Sequence, residues 1–298
     1  MQVDRRPIAV TGSSGQLGGE LCRRLGDAAA PLSRRDLDLS RPDGLRAVIE
    51  RLRPRAVINC AAWTAVDLAE TRPEECLAVN ATAVEALAAA CEAVDCPLVQ
   101  VSTDYVFGAD RGRRQPYRED DEPGPLGFYG TSKLAGEAAA KRWKNHLVVR
   151  TCGLYSVGEQ GPVRGRNFAD TMLVLARERP EVTVVDDQFC APSYVPHMAA
   201  AILSLLDTSL SRGVTGTFHA VNRGVTTWHA FASELFRLME LPVTVRPIAS
   251  RDRPSPVERP TFSVLDADKL EGVVGSRLPS WQEGLAAYVT AVRARTAG

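Results

Sequence analysis

Apolar residues in the first half of this chain alternate between two spacings. Short continuous runs at 8–11, 55–60, 98–101 and 147–150 read as buried strands, with 31–33 a shorter one between the first two. The segments between them repeat apolar residues every third or fourth position. These are the stretch with Leu17, Leu21 and Leu25, residues 42–52, and residues 73–94 with Leu77, Val84, Leu87, Cys91 and Val94 on one stripe. Strands alternating with helices predict an α/β fold, a Rossmann-type doubly wound parallel sheet. Asn80 falls on the buried stripe of the long helix. A buried amide needs hydrogen-bond partners, which a neighbouring strand's backbone supplies in this reading, making Asn80 a support of the site.

From about residue 152 the rhythm loosens and the loops lengthen. Helices are expected at 167–178, 194–207, 227–239 and 280–295, and strands at 182–185 and 217–221. Residues 246–262 are rich in proline and arginine and predict a rigid extended loop rather than a helix, a lid or substrate-contacting segment with a surface connector as the alternative. The expected division is an NAD(P)-binding domain over 1–151, joined again by roughly 182–221, and a smaller substrate-binding lobe interleaved within 152–298.

Composition narrows the functional classes. Of 298 residues, 45% are hydrophobic and 24% charged, enough for a sizeable core, and the formal net charge is zero. No global basic field argues for nucleic acid or an anionic membrane. The local clusters Arg111-Gly-Arg-Arg114 and Arg164-Gly-Arg166 lie in glycine-containing loops and read as solvated. Seven cysteines without a Cys-x-x-Cys read as reduced, buried small hydrophobes of a cytoplasmic protein. The four histidines show no ligand spacing, so no metal site is expected; His219 and His229 read as structural. Residues 1–7 lead into a strand without a signal-peptide core, and no uninterrupted apolar stretch is long enough to span a bilayer.

The chemistry begins at the first strand's end. Gly12-Ser-Ser-Gly15-Gln-Leu-Gly18 sits between a strand and a helix, the context a dinucleotide-binding turn requires. Gly12, Ser14, Gly15, Gln16 and Leu17 are placed against a pyrophosphate at the helix N-terminus. After the second strand, Arg34 and Arg35 are candidates for a ribose 2′-phosphate and Asp38-Leu39 for the adenine edge, favouring NADPH with NADH as the alternative. Ala61, Ala62 and Thr64 follow the third strand. Gly12, Ala61, Thr103 and Thr151 all fall at carboxyl ends of strands, where ligands bind in such sheets. Tyr129 and Lys133 are four residues apart, hence on one helix face. A lysine ammonium there is expected to lower the tyrosine pKa, and a hydroxyl such as Thr103 to orient a reacting carbonyl or alcohol oxygen.

The Gly-x-x-Gly-x-x-Gly spacing resembles the extended short-chain dehydrogenase/reductases. More specifically, residues 12–18, the run from Asn59 to Glu70, Ser102-Thr-Asp-Tyr-Val-Phe107 and the run from Tyr129 to Glu137 resemble the dTDP-4-dehydrorhamnose reductases. So do Asn167-Phe-Ala-Asp-Thr-Met-Leu173, Asp186-Asp-Gln-Phe-Cys-Ala-Pro-Ser193 and Arg259-Pro260, in the family's order over nearly the whole chain. The resemblance implies reduction of the 4-keto group of dTDP-4-dehydro-L-rhamnose by NAD(P)H. Tyr129 would protonate the oxygen, Lys133 would hold the nicotinamide ribose and tune Tyr129, and Thr103 would bond the reacting oxygen. Asp104 and Tyr105 would line the sugar pocket, with Asn167 and Arg259 on the nucleotide-sugar side. The chain departs from the family at Cys152-Gly153, where a tryptophan facing the sugar is common, at Cys190-Ala-Pro-Ser193, where Gly-x-Pro-Thr is usual, and at His197-Met198, where an acidic-apolar pair is common. Gly153 thereby marks a substrate contact whose aromatic platform is missing.

Two other readings remain open at this point. Nucleotide-sugar 4,6-dehydratases place an Asp-Glu pair after the threonine; Asp104-Tyr105 lacks the second acid, which argues against elimination. An epimerase of the same superfamily would keep its nicotinamide tightly bound. A related branch serves as a non-catalytic regulatory subunit of methionine adenosyltransferase, a binding role that the intact Thr103, Tyr129 and Lys133 disfavour. The nucleotide sugar is the partner all enzyme readings share, with the chain a monomer or homodimer.

Overall fold

Strands whose residues are apolar on both faces can only be central in a sheet covered on both sides. β1 (Ile8–Thr11) and β3 (Ala56–Asn59) are of this kind, every residue buried. The computed structural model describes residues 4–41, 44–158, 166–253 and 255–296. Around those two strands lie β2 (Ala29–Leu32), β4 (Leu98–Thr103) and β5 (His146–Thr151). The chain then forms β6 (Glu181–Val185) and β7 (Phe189–Cys190), and β8 (Gly216–His219) rejoins the main sheet. β9 (Thr226–Thr227) and β10 (Thr244–Ile248) follow. The main sheet is parallel, in the order β2-β1-β3-β4-β5-β8, while β10 pairs with β6 and β7 with β9 in two small sheets.

Helices α1 (Gln16–Leu25), α2 (Leu45–Leu52), α3 (Val66–Ala69), α4 (Pro73–Leu77), α5 (Ala83–Ala93) and α6 (Phe128–Ala140) flank the main sheet. In the C-terminal half are α7 (Phe168–Glu178), α8 (Val195–Arg212), α9 (Trp228–Met239), α10 (Asp268–Val274) and α11 (Trp281–Thr296). One apolar cluster, from Ile8 and Leu21 to Ile202 and Leu270, covers one face of the sheet; another, from Leu45 and Ile49 to Trp143, covers the other. A third cluster, with Leu173, Phe231, Leu285 and Tyr288, is the core of the smaller lobe.

Four expectations shift. The second strand lies at 29–32 rather than 31–33; as an edge strand it tolerates Pro31, which pairs with Val10. The long helix is interrupted by a π turn, Ala78–Thr82, which turns Leu77 out to 38% exposure and buries Cys76 instead. Residues 246–248 belong to β10, and only the segment after them, with a 3-10 turn at Ser250–Asp252, is loop. Residues 182–221 divide, β6 going to the small lobe and α8 with β8 to the main sheet. The span Pro73–Ala93 is by length and composition apolar enough to cross a bilayer, although Glu74, Glu75, Asn80, Glu85 and Glu92 interrupt its apolar run. Its buried face, with Val84, Leu87 and Cys91, packs in the core of the domain and its other face carries Glu74, Glu85 and Glu92, the pattern of a core helix. Arg164, in one of the arginine clusters, lies outside the described residues.

Helix α6 is locked to the sheet by polar groups. Arg150 of β5 forks onto Glu137 of α6, Nε to Oε1 at 2.8 Å and Nη2 to Oε2 at 2.7 Å, with both side chains buried. Ser102 of β4 donates to the same carboxylate at 2.6 Å. At the other end, the Glu70 carboxylate accepts from Phe128 N–H at 2.6 Å, where Gly127 offers no capping side chain. Gly136 is required where α6 meets the π turn, since a Cβ there would lie 2.0 Å from the Asn80 carbonyl oxygen. Glu137→Ala leaves the Arg150 guanidinium buried without its counter-charge and should lower the unfolding free energy by about 3–5 kcal/mol, measured by chemical denaturation. A loss no larger than that of a surface substitution would show that the pair does not hold the helix.

Candidate active site

Strand order reverses between β1 and β3, because the chain runs from β1 outward to β2 and returns to the other side. Such a switch point opens a crevice at the carboxyl ends of the strands. There the structure has a cleft of about 1060 Å³, lined at one end by the loop from Gly12 to Gly18 and at the other by Gly153, Phe189 and Trp228.

At the first end, Gly12 has φ +63°, and a Cβ on Gly18 would lie 2.3 Å from the Gly12 carbonyl oxygen, so the turn closes only around glycine. It delivers the N-terminus of α1 to the cleft, a fit for a pyrophosphate. Ser14, Gly15, Gln16 and Leu17 line it, as do Ala61, Ala62 and Thr64 beyond β3. Arg34, Asp38 and Leu39 also line it; the Arg34 side chain is 81% exposed, 3.5 Å from Asp38 and open to a phosphate. Arg35 is exposed and does not line the cleft. Asn80 makes the contacts expected of a support: it accepts from Trp63 N–H at 2.9 Å, donates to Trp63 C=O, and bonds Ser132 on α6.

The centre of the cleft holds Thr103, Tyr129 and Lys133. Thr103 ends β4, and its hydroxyl donates to Asp104 Oδ1 at 3.1 Å and accepts from Tyr105 N–H. The Tyr129 hydroxyl is within hydrogen-bond reach of Thr103. Lys133, buried one turn along α6, donates from Nζ to the Val101 carbonyl at 2.6 Å. Burial pushes the Tyr129 phenol above its ordinary value and the Asp104 carboxylate adds to the rise, while burial lowers Lys133 to about 8. This corrects the expectation of a lowered phenol pKa: desolvation outweighs the ammonium, which is directed at a backbone carbonyl. A phenol that stays protonated at neutral pH is poised to act as an acid.

At the far end, Asp104 is buried and its carboxyl is raised chiefly by burial. Ser263, from the C-terminal half, donates to it at 2.6 Å across 159 residues of sequence. Tyr105 lines the cleft with its ring edge-on to Tyr129, the centroids 6.0 Å apart. Asn167 does not line it: its side chain caps α7 through Asp170 N–H and donates to Gln16 and to the Ser156 carbonyl. Arg259 reaches Asp67 at 3.4 Å, and its buried Nε has no partner among the described residues, while its neighbour Pro260 lines the cleft. Ser263, Phe189 and Trp228 were not anticipated as site residues; Phe189 lies in the family-like run from Asp186 to Ser193, whereas Ser263 and Trp228 arrive by tertiary folding with no local motif around them. His219 is structural, buried between the Asp266 carbonyl and Arg150.

A glycine-rich strand–helix turn, a Tyr–Lys pair on a helix of the opposite sheet face and a threonine at the end of β4, converging on one cleft, together define an NAD(P)-dependent oxidoreductase of the extended short-chain type. The sequence matches the family described as RmlD substrate binding domain over residues 6–294. The chain belongs to that family, the dTDP-4-dehydrorhamnose reductases. It is 41% identical to dTDP-4-dehydrorhamnose reductase of Streptomyces griseus over 93% of this chain and 90% of that protein. Against the enzyme of Escherichia coli K12 the identity is 36%, covering 93% and 95%. The structure of the Bacillus anthracis reductase in complex with NADP superposes with a TM-score of 0.88 at 33% identity, covering 96% of this chain and 99% of that one. UDP-glucose-4-epimerase of Stenotrophomonas maltophila, at 16% identity and a TM-score of 0.82, shares the fold.

Lys133 keeps its proton below about pH 8 and loses it above. If its ammonium holds the nicotinamide nucleotide, affinity for that cofactor falls as pH rises through this value, and Lys133→Met removes the step. A wild-type affinity that stays flat across the window would contradict the assignment; fluorescence titration reads it.

Proposed function

We propose that this chain reduces the 4-keto group of dTDP-4-dehydro-L-rhamnose to give dTDP-L-rhamnose, with NADPH as reductant. The observation that carries the reading is Thr103, Tyr129 and Lys133 converging in the cleft between a dinucleotide turn and a lobe suited to a sugar nucleotide. The relatives' names support the substrate, and the NADP in the Bacillus anthracis structure supports the cofactor. Gly12, Ser14, Gly15, Gln16 and Leu17 would hold the pyrophosphate, Arg34 the 2′-phosphate, and Asp38, Leu39, Ala61, Ala62 and Thr64 the walls around the adenosine and the nicotinamide side. Bound NADPH supplies the hydride that reduces the sugar carbonyl carbon. Tyr129 donates the proton that the oxygen takes up, and solvent restores it. Thr103 would turn its one hydroxyl proton from Asp104 Oδ1 to that oxygen as a second hydrogen bond, while Ser263 continues to fix Asp104. Arg259 would serve the nucleotide-sugar side; Asn167, bonded to Gln16, would instead support the cofactor turn. Residues 1–151 with α8, β8 and α10 form the cofactor-binding unit in this reading, and the cluster around Leu173, Phe231, Leu285 and Tyr288 the core of the substrate lobe. The seven cysteines are free thiols, which supports a cytoplasmic enzyme.

With dTDP-4-dehydro-L-rhamnose generated in situ, purified protein should consume NADPH, and Tyr129→Phe should slow turnover by about 100-fold or more with cofactor affinity unchanged. Near-normal turnover in that variant would remove Tyr129 from the acid role. Arg34→Ala should raise the KM for NADPH by about 10-fold while leaving that for NADH unaffected; equal effects on both cofactors would rule out the 2′-phosphate contact.

A further inference from the structure

The substrate end of the cleft contains an aromatic ring whose position is fixed from several sides. Trp228 is the first residue of α9, whose N-cap Thr227 accepts from Ala230 N–H at 3.1 Å. Thr227 itself pairs with Phe189 in the β7–β9 ladder, so the backbone bearing the indole is held by both a sheet and a cap. The ring packs on Phe168, centroids 4.6 Å apart, and stands edge-on to Phe231 at 6.4 Å. It is half-buried and lines the cleft.

The indole also explains Gly153. That residue has φ +46°, in the left-handed region, and a Cβ built on it would lie 2.8 Å from Trp228 Cη2. A side chain at 153 is therefore opposed both by the backbone conformation and by the ring, which extends over the bare backbone there. Gly153 follows Cys152, whose thiol is within hydrogen-bond reach of Asp104, the carboxyl that holds Thr103. The ring thus borders the reaction centre through Gly153 and Cys152.

We propose that Trp228 is the platform on which the apolar face of the substrate's sugar ring rests, with Gly153 kept free of a side chain to admit it. An aromatic face covers the C–H bonds of a pyranose while leaving the hydroxyl rim to polar groups, and a 6-deoxy sugar adds a methyl group to the apolar side. This rests on the reading of the chain as a dTDP-sugar reductase.

The test compares binding of dTDP and dTDP-L-rhamnose by calorimetry, with steady-state kinetics, in wild type, Trp228→Leu and Trp228→Phe. Wild type should bind the sugar nucleotide more tightly than dTDP. Trp228→Leu should erase that preference by about 10-fold and raise the sugar-substrate KM by a similar factor, with kcat, dTDP affinity and NADPH affinity little changed. Trp228→Phe retains an aromatic ring against Phe168 and should lose about threefold; it carries the test alone if the leucine variant does not fold. A turning-over Trp228→Leu enzyme with the preference intact, or one that loses NADPH affinity instead, overturns the platform. A wild type that does not turn over the 4-keto sugar overturns the parent reading and this one with it.

Discussion

The buried pair between Glu137 and Arg150 is the contact on which the site depends. It joins α6, which carries Tyr129 and Lys133, to β5, and through Ser102 to β4, which ends in Thr103. Two charges taken out of water gain from one another only in good geometry, and here the fork is bidentate, with a hydroxyl as a further donor. A one-residue slip of the helix along the sheet would break both arms of the fork. The relative placement of acid, lysine and threonine is thereby tied to an interaction that touches none of them. The guanidinium also lies over the Phe107 ring, 5.0 Å from its centroid, and meets His219 of β8, extending the tie to the sheet's far strand.

Given that frame, the chemistry follows from desolvation. Burial keeps the Tyr129 phenol protonated and lowers Lys133 toward neutrality, so the two groups are shifted in directions that suit an acid and a tunable cation. Thr103 connects Tyr129 to Asp104, and Ser263 fixes Asp104 from 159 residues further along the chain. The reaction centre thus draws on the C-terminal half, although the three residues at its heart come from the first 151.

Much of this was legible in the sequence because it is local. The glycine turn, the Tyr129–Lys133 spacing and the strand ends at Gly12, Ala61 and Thr103 depend on neighbours within a few residues, and the cleft contains them all. Asn80 was readable as a support because a polar residue on an apolar stripe must find partners. The direction of the phenol shift was not readable, since it depends on how deeply the ring is buried and where the lysine points. Nor was the π turn, a tertiary accommodation to α6 that changes which of Cys76 and Leu77 is buried. Ser263 and Trp228 come to the site from far along the chain, and no local pattern marks a side chain that acts at such a separation.

The central claim is that this arrangement reduces a sugar carbonyl rather than epimerising or only binding. The most direct test supplies NADPH deuterated at the transferable position of the nicotinamide and analyses the sugar nucleotide by mass spectrometry and NMR. The account predicts deuterium retained at C4 of dTDP-L-rhamnose, one label for each NADPH oxidised. Unlabelled product, or a sugar nucleotide altered in configuration while NADPH is not consumed, would contradict it.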